Sequence, residues 1–384
     1  MEEKSKRSNL IDIMKSMMIL SVAVFHLIYR HHDSMFDLVV REMIYLSMPL
    51  FMFFAGYFSK DIEGSFLAGL GKRLKKVSLP SLIVTLVLLI CFGPYYLLMY
   101  EDYSMKVWIG DFLQTYLRPE LMEKILPEYT GGQLSRNISA VWFIWALSFA
   151  TIVFFIAIRF TGDKLSNNAS KDISEKSSDI TAKSIGVTTI LLVLGVILYV
   201  IIPPLSWSLQ LAPLYAGIMM LGTILKKCQV LEKLEKINLG VSSLIMVVAA
   251  VIHYAIFRFC GSDDIYKSGL GDKGCITGVF FVIQIFIGGF VLFTLARLIA
   301  LSKTGEKAFS WIGRHTLVIM LLHTLIGGIT ADILHTYNKP GPNWFVEPLT
   351  AEIVIKSVIT FVVGFAGSLG LAAVNDSIKK KIKK

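Results

Sequence analysis

Ten runs of about 20 mostly apolar residues recur along the chain, at residues 10–29, 38–59, 77–100, 139–160, 184–202, 205–225, 239–258, 276–300, 315–336 and 350–374. An α-helix rises about 1.5 Å per residue, so each run matches the roughly 30 Å hydrocarbon core of a bilayer. Backbone polar groups inside that core must be satisfied within the segment, which a helix does. The expected fold class is therefore an all-α polytopic membrane protein with about ten transmembrane helices. With 54% of its 384 residues hydrophobic, a soluble domain would have to expose much of this surface. Met1–Asn9 is charged and no small-residue cleavage site follows it, so the first run reads as a retained span and not a signal peptide.

The net charge of +10 would point to nucleic acid in a soluble protein, but here the basic residues cluster between the apolar runs. Placing the N-terminus in the cytoplasm puts 26 Lys and Arg in the inner segments and 10 in the outer ones. Adding or removing one span would break that alternation downstream. The expected arrangement is a multi-pass protein of the cell membrane with both N- and C-termini cytoplasmic, in contact with the lipid bilayer and with no nucleic-acid partner. Residues 1–384 read as a single transmembrane domain without internal repeats. Residues 101–138 form an outer loop, either a cap with amphipathic helices or an ordinary connection. Residues 161–183, rich in Ser, Asn, Asp and Lys, read as a flexible cytoplasmic linker. The four cysteines have no metal-binding spacing, and no metal is expected. Cys260 and Cys275 share one outer loop and are either bridged or free.

Ionisable groups inside spans are costly and mark function by default. The first run holds Asp12, Lys15 and His26. Lys15 and His26 are eleven residues apart, which is three turns plus about 20°, so they share a helix face about 16 Å apart along the axis. Asp12, three residues before Lys15, is placed to pair with it. Lys15 near the inner edge is either a snorkelling anchor or a contact for a phosphorylated donor. His26, deeper toward the outer side, is either a packing group or a general base or acyl acceptor, as an imidazole titrates near neutrality.

Further candidates are spread along the chain. Arg41 and Glu42 lie near the outer end of the second run and are either a surface pair or substrate contacts. Pro49 in that run should kink its helix. The basic run Lys72-Arg73-Leu74-Lys75-Lys76 precedes Pro80, and Arg73 and Lys76 are either orientation signals or phosphate ligands. Trp142 and Trp145 open the fourth run and either form an interfacial belt or stack on a sugar. Arg314 lies at the inner mouth of the ninth run as a second phosphate candidate. His323, within that run, is either catalytic or hydrogen-bonded across helices. Glu352 and Lys356 are four apart and placed to pair.

In order and spacing these blocks resemble the acyltransferase-3 family of bacterial membrane O-acyltransferases. The first is Asp12-Ile13-Met14-Lys15, then ten residues, then His26; the family has Arg, in some branches Lys, at the position of Lys15. The second is Met48-Pro49-Leu50-Phe51 through Ala55-Gly56-Tyr57-Phe58, and the third is the basic run ending at Pro80. Val141-Trp142-Phe143-Ile144-Trp145 and Ile312-Gly313-Arg314 leading to His323 complete the set. Lys15 in place of Arg is most similar to the branch related to fucose 4-O-acetylases.

The resemblance implies an O-acetyltransferase of the cell envelope, taking acetyl from cytoplasmic acetyl-CoA to a hydroxyl of a surface or lipid-linked carbohydrate, as in polysaccharide O-acetylation. Asp12, Lys15, His26 and His323 would be catalytic, and Lys15, Arg73, Lys76 and Arg314 would hold the donor phosphates. Arg41, Glu42, Trp142 and Trp145 would meet the acceptor. Two other readings fit ten spans with buried charge: a polysaccharide or precursor exporter without acyl transfer, and a non-catalytic partner in an envelope assembly.

Overall fold

The computed structural model describes residues 2–28, 35–60, 65–99, 104–116, 142–162, 182–202, 206–260, 275–334 and 350–382. Among these residues there are helices and turns and no strands. The helices are α1 Glu2–Leu27, α2 Met35–Tyr57, α3 Phe66–Met99, α4 Met105–Tyr116, α5 Trp142–Thr161, α6 Ala182–Ile201, α7 Ala212–Lys227, α8 Val230–Lys236, α9 Leu239–Cys260, α10 Cys275–Ile299, α11 Lys303–Arg314, α12 Thr316–Ile333 and α13 Ala351–Ile382. A 3₁₀ turn, Ser206–Leu211, leads into α7.

Among the described residues, seven stretches are long and apolar enough to cross a bilayer, and an eighth counts if the bent pair α11–α12 forms one span. The other two predicted runs fall on α2, whose apolar part Ser47–Tyr57 is short, and on α3. The protein is thus an all-helical, multi-pass membrane protein. The outer loop expected at 101–138 begins with α4, and residues 117–141 lie outside the described residues. So does most of the expected linker, residues 163–181. The side chains of Cys260 and Cys275 also lie outside them.

The chain divides into two compact units. The first comprises Met1–Arg7, Met48–Ser81 and Trp142–Leu298. Its centre is α7, which packs on α5 and α6, and 67% of the span through α7 is buried. A side chain at Gly222 would run into the Phe53 carbonyl, and one at Gly56 into the Met219 backbone. The two helices therefore touch backbone to backbone, the usual way membrane helices gain contact where apolar surface alone gives no advantage over lipid. Hydroxyls add polar ties: Ser78 and Ser148 are joined at 2.7 Å, and Ser148 also donates to the Ile144 carbonyl at 2.8 Å. Arg297 at the end of α10 donates to the Ile237 carbonyl at 2.9 Å and to Ser242 Oγ at 3.0 Å, fastening the turn between α8 and α9.

The second unit comprises Ser8–Ser47, Leu82–Val141 and Ile299–Lys384. Within it α12 and α13 pack extensively on each other. Among the described candidate spans of this unit, α1 is the more enclosed by protein: 72% of its span is buried, against 28% for α13. Ile13, Met14, Met18 and Ile19 on it are almost wholly covered. A charged or polar group in a membrane is tolerated where protein encloses it, so this helix is suited to carry Asp12, Lys15 and His26. Ser21 of α1 meets Ser47 of α2 at 2.8 Å, and Ser47 also donates to the Met43 carbonyl at 2.7 Å. The α2 helix continues through Pro49.

Candidate functional site

The second unit gathers Asp12, Lys15 and His26 on α1 with Arg314 on α11 and His323 on α12. The pair expected on the first turn is formed: Lys15 Nζ lies 3.1 Å from Asp12 Oδ1. Asp12 is buried and Lys15 is 25% exposed, so a covered carboxylate orients a partly exposed cation. Two contacts set α11 against this part of α1. Asn9 Nδ2 donates to Glu306 Oε1 at 2.9 Å. Three residues along α1, Gly313 sits on the Asp12 carbonyl with no room for a side chain. Arg314 follows directly and is exposed. Both cations thus emerge from segments tied to the Asp12 turn, an arrangement suited to a polyanion such as the phosphates of a nucleotide.

Helix α11 is strongly amphipathic. Ser310 and Gly313 are buried, while Lys303, Lys307 and Arg314 are exposed. At 100° per residue these three basic residues fall within about 40° of each other on one stripe. Ser302 caps its N-terminus, accepting the Gly305 N–H at 3.3 Å. The helix ends at His315, and α12 leaves at a bend of 78°. His315 spans the bend. Its Nδ1 is 2.8 Å from the Trp311 carbonyl and its Nε2 is 2.9 Å from Asp376 Oδ2 on α13. Both ring nitrogens face acceptors, and both contacts are satisfied together when each carries a proton. The Trp311 ring lies beside it at 4.7 Å.

The deep end of the site is a pair of imidazoles. The ring centroids of His26 and His323 are 5.5 Å apart, with planes inclined by 51°. His26 is half-buried and Phe25 meets it edge-on at 5.3 Å, while His323 is fully buried. His323 Nδ1 lies 2.7 Å from the Ile319 carbonyl oxygen. A carbonyl only accepts, so Nδ1 carries the proton and Nε2 holds the lone pair. That Nε2 is buried with no hydrogen-bond partner among the described residues. Such a nitrogen is equipped to accept a proton or a hydrogen bond.

A protein family described as an acyltransferase domain matches residues 9–374 of this chain. The chain belongs to the acyltransferase-3 family. No curated protein and no solved structure matches it. As an acyltransferase-3 protein it is a membrane acyltransferase, and its first and ninth apolar runs supply the residues brought together in the second unit.

The remaining expected site residues are described in turn. Arg73, Lys76 and Trp145 belong to the first unit. Arg73 donates to the Lys60 carbonyl and lies over the Phe155 ring at 4.5 Å, so its guanidinium is engaged by the protein itself. Lys76 is exposed and Trp145 is half-buried. Arg41 and Glu42 are on α2 and Trp142 opens α5, but their side chains lie outside the described residues. Glu352 and Lys356 pair at 2.7 Å, as their spacing predicted. His315 and Asp376 carried no expected role. A histidine placed just beyond an amphipathic helix was a usable signal, whereas Asp376, 61 residues later beside a lysine-rich tail, carried none.

The His315 clamp has a measurable consequence. His315→Leu removes both hydrogen bonds at the bend and should lower stability by about 1–2 kcal/mol, since Asp376 is partly exposed and its contact is screened. Thermal unfolding in detergent checks this. An unchanged midpoint would mean that the clamp contributes nothing.

Proposed function

We propose that this acyltransferase-3 protein transfers acetyl from cytoplasmic acetyl-CoA to a hydroxyl of a surface or lipid-linked carbohydrate. The observation that carries the reading is the alignment on α1: a buried carboxylate orients Lys15, and an imidazole follows about 16 Å along the same face. An extended thioester donor needs that geometry, with a cation for its phosphates at one end and a base at the other. Lys15 and Arg314 hold the phosphates. His26 takes the proton of the acceptor hydroxyl, the oxygen attacks the thioester carbon, and the departing thiolate takes that proton from His26. In this reading the chain crosses the membrane ten times with both ends cytoplasmic, which places Lys15 at the inner mouth and His26 toward the acceptor. The sugar assignment rests on the likeness of Lys15-x₁₀-His26 to the branch related to fucose 4-O-acetylases.

Lys15 tests the donor end. Lys15→Met should raise KM for acetyl-CoA by about tenfold or more, whereas Lys15→Arg, which keeps the charge, stays within a few-fold of the parent. Lys15→Met also leaves Asp12 buried and unpaired, at a cost of about 3 kcal/mol. Asp12→Asn combined with Lys15→Met removes that charge and should regain stability without regaining KM. Initial rates and unfolding midpoints on the same preparations separate the two effects. A normal KM in a folded Lys15→Met protein would remove Lys15 from the donor site.

A further inference from the structure

We propose that Lys303 and Lys307 of α11 form a second phosphate subsite, which takes the 3′-phosphate on the ribose of acetyl-CoA beyond the diphosphate held by Lys15 and Arg314. The inference rests on the reading of acetyl-CoA as donor and adds the residues that recognise its nucleotide end.

Three observations carry it. First, Lys303, Lys307 and Arg314 are exposed on one stripe, and none of them has a carboxylate partner among the described residues. The only acid of α11, Glu306, is spaced to pair with Lys303 but instead accepts the Asn9 amide at 2.9 Å. Lys303 also opens the helix, where its charge opposes the helix dipole. Three uncompensated cations in a row form a binding surface for a polyanion. Second, the stripe leads away from Lys15 in the order the donor requires. Gly313 rests on the Asp12 carbonyl and Arg314 follows it. Lys307 and Lys303 lie about 10 Å and about 16 Å back from Arg314 along the α11 axis. The donor runs from thioester through pantetheine arm and diphosphate to the ribose with its 3′-phosphate. With the thioester directed along α1 toward His26, the ribose phosphate falls on the far side of Arg314.

Third, the stripe is turned away from the apolar side of α11. Its three cations lie about 140–180° around the helix from Ile312. The helix leaves α12 at 78°, so it runs nearly across the direction of that apolar helix. An amphipathic helix along a membrane surface keeps its apolar side to the hydrocarbon. The opposite side meets the aqueous phase, from which a soluble donor arrives. Lys303 and Lys307 stand far from the reacting carbon and make no bond in the transfer. They act on donor affinity through charge, and they give the site a preference for a nucleotide that carries the extra phosphate.

The test measures equilibrium binding of acetyl-CoA and of its 3′-dephospho form to full-length protein in vesicles, one set of neutral lipid and one containing anionic lipid. The parent should bind acetyl-CoA about tenfold more tightly than the dephospho form. Lys303→Gln with Lys307→Gln should weaken acetyl-CoA by about tenfold and leave the dephospho form within about twofold, so the preference disappears. Lys303→Arg with Lys307→Arg keeps both charges and should keep the preference. Both lysines are exposed, so these variants should keep the parental unfolding midpoint. Equal affinity of the parent for the two donors would overturn the proposal, as would a double Gln variant that weakens both equally. A loss seen only in vesicles with anionic lipid would also overturn it and assign the stripe to lipid headgroups. In each of these cases a parent that binds acetyl-CoA leaves the donor reading standing, and only the subsite fails. A parent that binds neither donor would remove the acetyl-CoA reading and the subsite with it.

Discussion

Replacing His26 with alanine is expected to reduce acyl transfer by at least about 100-fold and to leave the fold intact. The loss follows from the location of the ring. It is the ionisable group farthest along α1, half-buried, with its ring centroid 5.5 Å from that of His323. The change removes a ring that spans part of a packed surface, so the cost in stability is modest compared with a fully buried aromatic. Product formation from labelled acetyl-CoA measures the first effect and the unfolding midpoint the second. His26→Ala protein that turns over normally would show that the reacting hydroxyl is activated elsewhere.

The second large effect is expected at Gly313. A Cβ there would overlap the Asp12 carbonyl oxygen, carbonyl carbon and Cα, which are backbone atoms with no rotamer through which to yield. Gly313→Ala must therefore lift α11 from α1. Overpacking of this kind costs about 1–3 kcal/mol or more, and Gly313→Leu should prevent stable expression. Lifting α11 also strains the Asn9–Glu306 bond and moves Arg314, so a surviving Gly313→Ala protein should bind donor weakly. Gly370→Ala is the matching control: Gly370 is also in the second unit, on α13, and nothing lies within 4 Å of its added carbon. That change should be neutral or slightly stabilising, because alanine favours helix over glycine. Unfolding midpoints of the two variants compare them directly, and equal midpoints would show that α11 does not rest on α1.

The helices were legible because hydrophobic length is written residue by residue. Each of the ten apolar runs falls on a helix, and the i,i+3 and i,i+4 pairs Asp12–Lys15 and Glu352–Lys356 form as their spacing required. Lys15 and His26 could be placed on one face because that inference needs only the helical repeat. What crosses between distant segments was not legible. Apolar length does not record a bend, so the turn of 78° at His315 and its link to Asp376 have no local signature. Apolar length also does not record neighbours. Gly313 stood in the sequence as part of a family block, and only its approach to Asp12 shows why a larger residue is excluded. The contacts of Arg73 with the Lys60 carbonyl and the Phe155 ring are likewise not recorded in its basic run. The partition of the chain into two units likewise cuts through α2 and α3, where the sequence is continuously apolar.

The most direct test of transmembrane transfer is a sided one. The protein is reconstituted in vesicles, acetyl-labelled acetyl-CoA is supplied only on the face bearing the termini, and label is measured on a panel of glycans enclosed in the opposite compartment. The account predicts label on the enclosed glycan with the parent protein and none with His26→Ala. Movement of unmodified glycan with no label on any acceptor would contradict it and favour an exporter.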